Sequence, residues 1–263
     1  LDSGTSKVHS VLKDNAGNLW IAIYQKGVMM IPAQPNSFKY IGYKSINKNI
    51  IGSNCITSLC RDHEGILWIG TDNDGIYGIT TELKQRVHYA PHDSPFSVPS
   101  TVFGLYEDSE RNLWFGSYTN GLGRLDKKTG QCSYLQNLTD KHGNRIQRVY
   151  DLVEDQDKRL WIATMGAGLF YYDLKTGQSV YDPKFNAATE KYKWISCLLY
   201  AGDNHLYVGT YDGIRCIDLS TDDFKTEEIL SRHIIHSLYE DPQGNIWIGS
   251  SDGLAEWNPQ TRQ

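Results

Sequence analysis

The sequence predicts an all-β fold, a β-propeller of six recognisable four-stranded blade repeats. Three observations predict it. One motif returns along the whole chain, its aromatic anchor recurs at the period of a four-stranded blade, and 24 Gly and 17 Tyr in 263 residues suit short strands joined by tight turns better than long helices.

The motif stands at Asp14 to Ile23 (DNAGNLWIAI), Asp62 to Thr71 (DHEGILWIGT), Asp108 to Ser117 (DSERNLWFGS), Asp155 to Thr164 (DQDKRLWIAT) and Asp241 to Ser250 (DPQGNIWIGS), with a weaker copy at Ala201 to Thr210 (AGDNHLYVGT). The anchors Trp20, Trp68, Trp114, Trp161, Tyr207 and Trp247 follow one another at 48, 46, 47, 46 and 40 residues. A lone blade cannot bury both faces, so these anchors are expected to be structural, packing between neighbouring blades.

Six residues ahead of each aspartate position an apolar strand begins, at Val8, Ile56, Val102, Val149, Ile195 and Ile235. This innermost strand is expected to line a central channel. The Asp-x-x-Gly turn follows, in which the carboxylate accepts backbone amides and glycine takes positive φ. Arg111 and Lys158 replace that glycine, Ala201 the aspartate and Tyr207 the tryptophan, so those turns are expected to close in other ways. The second strand carries the anchor. A further glycine then ends the next loop (Gly27, Gly75, Gly121, Gly168, Gly213, Gly253) and opens a third strand, as in Leu169 to Asp173. Outer strands are predicted at Phe38 to Tyr43, Arg86 to Tyr89, Cys132 to Gln136, Gln178 to Tyr181 and Lys225 to Ile229. None is predicted after Trp257, where Asn258 to Gln263 is short and polar, so ring closure would need another strand or chain. Residues 1–263 thus read as a single propeller domain with repeats near 8–43, 56–90, 102–136, 149–181, 195–229 and 235–263.

A net charge of −5 gives no basic footprint, which disfavours nucleic acid as a partner. No apolar run reaches the length of a membrane span, so any membrane attachment is expected from segments outside these residues. Five cysteines without a C-x-x-C pair signal neither a zinc knuckle nor a full disulfide framework, and buried free thiols are expected.

The D-x-x-G-x-L-W-I-G-T core, followed by Gly-Leu and an aromatic-aspartate ending, resembles the two-component regulator propeller repeats of the extracytoplasmic sensor regions of Bacteroidetes hybrid histidine kinases. The resemblance implies an excerpt of a seven-bladed propeller from the periplasmic part of an inner-membrane protein. It implies as partners the remaining blades, an immunoglobulin-like domain and a kinase, with association into a homodimer.

Chemistry-bearing motifs are sparse. Gly249 to Gly253 (GSSDG) matches G-x-S-x-G with Ser251 as the would-be nucleophile, but the repeat places it in a strand-to-strand loop where the motif needs a strand-to-helix turn. His233 with His236 and His88 with His92 lack both a shared face and an H-E-x-x-H partner, and the acidic loop Asp72, Asn73, Asp74 lacks the distal glutamate of a calcium loop. No metal and no cofactor is expected. The Asp-x-x-Gly-x-x-Trp spacing is similar to the Asp-boxes of sialidases. A glycosidase would need converging arginines, a tyrosine and acids, for which Arg145, Arg148 and Tyr150 are the sole candidates.

A binding site is easier to place. The loops joining second to third strands hold Tyr24, Tyr118 and Tyr211 at equivalent positions, with Gln25, Lys26, Asn73, Asp74, Asn120 and Asp212 beside them; the entry side adds His9, Arg148, Tyr150, Trp194 and His236. Aromatic faces flanked by amides and acids suit sugar rings. The expected function is a non-catalytic sensor module that recognises an oligosaccharide and controls polysaccharide-utilisation genes through a kinase. A propeller glycoside hydrolase or lyase is the alternative, and a protein-interaction platform the second.

Overall fold

In the computed structural model, residues 8–15, 17, 19–23, 27–31, 33, 51–80, 85–140, 142–181, 186, 193–221 and 224–262 are described. They form two compact units, one of Leu1–Ile41 with Ser45–Asn47, the other of Gly42–Lys44 with Lys48–Gln263. The predicted outer strand at 38–43 and the candidate residues Tyr24, Gln25 and Lys26 lie outside the described residues.

The first unit holds one antiparallel sheet of β1 (Val8–Lys13), β2 (Leu19–Ile23) and β3 (Gly27–Ile31). The second unit holds five. These are β4 (Ile56–Arg61), β5 (Leu67–Thr71), β6 (Ile76–Ile79) and β7 (Gln85–Tyr89); then β8 (Val102–Glu107), β9 (Leu113–Ser117), β10 (Leu122–Leu125) and β11 (Cys132–Tyr134); then β12 (Val149–Glu154), β13 (Arg159–Thr164), β14 (Leu169–Asp173) and β15 (Gln178–Val180). The fourth comprises β16 (Ile195–Ala201), β17 (His205–Thr210), β18 (Gly213–Asp218) and β19 (Thr226–Ser231), and the last β20 (Ile235–Glu240), β21 (Ile246–Ser250) and β22 (Gly253–Trp257). Every sheet is an antiparallel meander in chain order, and all six inner strands begin at the residues the sequence predicts. The inner strands β4, β8, β12, β16 and β20 pack side by side in succession.

The turn aspartate does more than close its hairpin. In Asp108, Oδ1 accepts the amides of Glu110 and Asn112 at 3.0 and 2.8 Å, while Oδ2 accepts the indole N–H of Trp114 at 2.7 Å. The same indole bond joins Asp62 to Trp68 (2.8 Å), Asp155 to Trp161 (2.7 Å), Asp241 to Trp247 (3.1 Å) and Asp14 to Trp20 (2.8 Å). A buried indole N–H needs an acceptor, and the spacing of six supplies it. The copy that replaces the tryptophan, at Tyr207, also lacks the aspartate, at Ala201.

Arg111 and Lys158 overturn the expectation of a different closure, for they take φ of 70° and 71°, the left-handed conformation that Gly65 takes at 80° in the parent turn. Asp108 and Asp155 still accept the amides ahead of them there, so the hydrogen bonds hold a side chain in a conformation it otherwise avoids.

Four anchors fill the space between sheets. Trp68 packs with Val102, Leu105 and Phe115 of the next sheet, Trp114 with Val149, Leu152 and Ile162, Trp161 with Ile195, Leu198 and Val208, and Tyr207 with Ile235 and Ile248. Trp20 and Trp247 depart from this pattern. Trp20 is 40% exposed and Trp247 half-buried. Each covered anchor packs against the following sheet of its own unit; among the described residues the first unit holds a single sheet, and β20–β22 is the last of the second.

Two polar devices tie the sheets at their turn ends. Glu107 accepts the amide of His63 from the preceding sheet (2.6 Å), Glu154 that of Ser109 (2.6 Å) and Glu240 that of Gly202 (3.3 Å). Lys127 then bridges Glu107 (2.5 Å) and Asp62 (3.3 Å). Burial pushes both carboxyls up, but the hydrogen bonds to them and the Lys127 charge prevail and hold them below the usual range.

The five cysteines are free. Cys132, Cys197 and Cys216 are buried as expected, Cys60 is half-buried, and Cys55 is exposed because it precedes β4 rather than lying inside it.

Candidate functional site

Each inner strand carries a register shift at one position. The irregularity falls between Ile56 and Ser58, Val102 and Leu105, Val149 and Asp151, Ile195 and Cys197, and Ile235 and Ser237, as it does between Val8 and Ser10 in the first unit. A bulge leaves one residue without a cross-strand partner and re-aims it. In the second unit these residues are Thr57, Phe103 (followed in β8 by Gly104, also between the paired residues), Tyr150, Ser196 and His236, and the five side chains line a pocket of about 200 Å³ enclosed by the inner strands. Its walls are laced across sheets: the Thr57 hydroxyl donates to the Val102 carbonyl and the Ser196 hydroxyl to that of Ile235.

Asp151 sits in the same pocket, directly after Tyr150. Its Oδ2 accepts the Leu198 amide of the next sheet at 2.8 Å and its Oδ1 the Leu152 amide at 2.9 Å. Protein crowds the carboxyl on every side while part of the residue stays open to the channel. Burial pushes its pKa up to about 6, against the pull of the two amides.

Above the pocket, in the sheets β12–β15, β16–β19 and β20–β22, the first residue of the loop between second and third strands bonds the residue preceding its own inner strand. Met165 donates to the Arg148 carbonyl (3.0 Å), Tyr211 to that of Trp194 (3.1 Å) and Ser251 to that of Ile234 (3.0 Å). The same loops reach the next sheet, where Gly166 donates to Lys193 (2.7 Å) and Asp72 pairs with Thr101. This lacing gathers side chains from three sheets. Phe103 stacks on Tyr150 with ring centroids 4.1 Å apart and meets Tyr118 edge-on at 6.1 Å; Trp194 and Tyr211 lie 6.0 Å apart. The Arg148 guanidinium sits 5.1 Å over the Tyr118 ring. Burial raises the Tyr150 phenol, and Tyr211, Tyr118 and Asp72 add to the shift while Arg148 opposes it. Tyr118, Trp194 and Tyr211 remain between 41% and 43% exposed, Tyr118 with the Arg148 guanidinium over its ring.

Several sequence candidates point elsewhere. Asp74 accepts the Tyr77 hydroxyl and pairs with His88 at 3.3 Å, and those two rings stack at 3.9 Å, so the carboxylate belongs to the flank of its own sheet. Asn120 hydrogen-bonds toward Tyr134 and gives its carbonyl to Arg145 (3.1 Å). Asp212 is half-buried and its carbonyl takes the Arg232 amide (3.1 Å). Asn73 is exposed, and His236 lies 3.2 Å from the Ser251 hydroxyl. No carboxylate bonds the other His236 nitrogen among the described residues, so Ser251 lacks the oriented base a nucleophile needs. His9 enters only as the equivalent register position, since its side chain is outside the described part. Among the described residues no cluster of three or more His, Cys, Asp or Glu side chains could hold a metal ion.

Sequence reasoning missed Thr57, Phe103, Asp151 and Ser196, and read Asp72 only as part of an acidic loop. The repeat held the signal, because Phe103 and Ser196 occupy the position of Tyr150 and His236, and Asp72 that of Tyr118 and Tyr211.

Residues 50–73, 98–119, 145–166 and 229–252 match the family model described as two component regulator propeller. No curated protein matches the sequence. Among solved structures, the chain is similar to the extracellular domain of a hybrid two component system from B. thetaiotaomicron (21% identity, TM-score 0.75, covering 100% of this chain and 34% of that one). It is similar also to the extracellular domain of a one component system from the same organism (23%, TM-score 0.70, 96% of this chain and 36% of that one) and to a streptogramin B lyase (16%, TM-score 0.56, 97% and 80%). The chain therefore spans about a third of the length of the two B. thetaiotaomicron domains, and at these identities the likeness establishes the propeller fold.

Proposed function

From a chain that carries two component regulator propeller repeats, we propose a non-catalytic, extracytoplasmic sensing module of a hybrid two-component sensor histidine kinase, recognising an oligosaccharide at the channel mouth. The observation that carries this reading is the open aromatic cluster of Phe103, Tyr118, Tyr150, Trp194 and Tyr211 above a pocket lined by hydroxyls and amide-forming backbone. Sugar C–H faces stack on such rings while their hydroxyls find donors and acceptors below. On this reading, occupancy biases further domains of the full-length protein across the membrane, as a dimer, and so sets the expression of polysaccharide-utilisation genes.

The hydrolase alternative draws less support. Among the described residues Asp151 is the one carboxylate lining the channel pocket, where a glycosidase needs a pair. Titration calorimetry against a panel of oligosaccharides, with product analysis of the same samples, tests the proposal. Binding without turnover, abolished by Tyr118→Ala with Tyr211→Ala, is the expected result; turnover, or no sugar bound at all, overturns it.

A further inference from the structure

Beside the aromatic cluster runs a groove of about 340 Å³ whose walls include Arg145, Arg148 and Asp140. Asp140 is already engaged: it accepts the amides of His142 and Asn144 at 2.8 Å each and the Asn144 side-chain amide at 3.0 Å, and these bonds hold its carboxyl below the usual range. The two guanidinium groups are not matched by acids. Arg145 donates to the neutral Asn120 carbonyl, Arg148 lies on the Tyr118 ring, and among the described residues neither forms an ion pair. Both are exposed. In a chain of net charge −5, two arginines left without carboxylate partners on one wall of a groove are a local reversal of sign at the site where a ligand is expected.

We propose that this groove receives the carboxylate or sulfate of an acidic sugar residue, so that the ligand is an anionic oligosaccharide whose next ring stacks on the neighbouring aromatic cluster. The inference rests on the sugar-binding reading above and narrows its substrate class. A guanidinium binds a planar carboxylate or a sulfate through paired N–H donors; Arg148 lines the groove and meets the Tyr118 ring through its guanidinium face, and among the described residues its N–H groups make no side-chain hydrogen bond. Arg148 is shared by both features, since it lines the groove and lies over the cluster. An acidic unit in the groove and a ring over Tyr118 and Tyr150 would therefore be adjacent along one chain.

The experiment compares four probes by calorimetry on the intact chain and on Arg148→Gln and Arg145→Gln, each first checked for an unchanged melting temperature. The probes are trigalacturonate, a sulfated chondroitin disaccharide, cellotriose and xylotriose. The expected result is binding of one or both acidic probes, weakened at least about tenfold by Arg148→Gln and also by raising the salt from 50 to 500 mM. Preference for trigalacturonate or for the sulfated disaccharide tells which anion the groove takes. Binding of the neutral probes alone, or acidic binding indifferent to both substitutions and to salt, overturns this inference while leaving the sugar-binding reading in place. Failure of all four overturns both.

Discussion

The indole N–H of Trp114 donates to the carboxylate of Asp108 six residues earlier, at 2.7 Å, and the ring it orients fills the space against the next sheet. One side chain thus serves two levels of structure. Asp108 closes its own hairpin through two backbone amides and fixes the direction of the residue that joins that sheet to its neighbour.

Asp108→Ala is expected to cost roughly 2–4 kcal/mol, since it leaves a buried indole donor and two turn amides without their acceptor. Asp14→Ala, whose partner Trp20 is 40% exposed, is expected to cost less than half as much. Urea unfolding of the two variants decides the matter; equal losses would mean that the turn, not the indole bond, is what the aspartate contributes.

The glycine of the Trp-x-Gly motif has a steric cause. At Gly116 an added Cβ would lie 2.5 Å from the Val149 carbonyl oxygen of the next inner strand, a backbone atom that cannot swing aside. Gly116→Ala is therefore expected to destabilise by about 1–3 kcal/mol through a forced shift of the two sheets. A melting temperature unchanged from wild type would show that the sheets are not seated as closely as this.

Asp151 makes stability fall as pH rises. Its carboxyl is raised from 3.8 to about 6 in the folded chain, so the folded state holds the proton more tightly than the unfolded chain does. That contribution is fully present below the unfolded value and is lost as pH climbs through about 6. Asp151→Asn keeps one acceptor oxygen and turns its NH2 toward the other backbone amide, but it removes the titration, so its stability relative to wild type is expected to improve by on the order of 2 kcal/mol from pH 4 to pH 7.5. Denaturation measured across that range reads the slope, and a difference equal at both ends would exclude ionisation as its origin.

Thiol reactivity should separate the cysteines. Burial pushes Cys132 up to about 12 and Cys60 and Cys216 up to about 11, and raises Cys197 as well, so these thiols hold little thiolate near neutral pH. Cys55 is exposed. A chromogenic disulfide reagent at pH 7.5 is expected to titrate one thiol within minutes in the native protein and all five in guanidinium; a Cys55→Ser protein that still gives the fast phase would contradict the assignment.

The framework was legible because each strand start is tied to an aspartate and an aromatic residue that recur together, and a hydrophobic run between such markers has little freedom of register. The residues at the channel mouth were only half legible. A bulge adds no letter to the motif, so Phe103 and Tyr150 are linked in the sequence only by their shared repeat position, one place into an inner strand, and not by any residue type. Asp74 shows the opposite failure. It shares a loop with Asp72, whose repeat position Tyr118 and Tyr211 also hold, but Tyr77 three residues later and His88 on the adjoining strand draw its carboxylate to the flank.

Because the residue at each bulge stands outside the ladder of its own sheet, it can vary in kind without disturbing that ladder. Thr57, Phe103, Tyr150, Ser196 and His236 already span two hydroxyls, two arenes and an imidazole on one unchanging frame. Such a scaffold separates the letters that determine what is recognised from those that determine the shape, and a new specificity can arise by rewriting the former while the latter stay untouched.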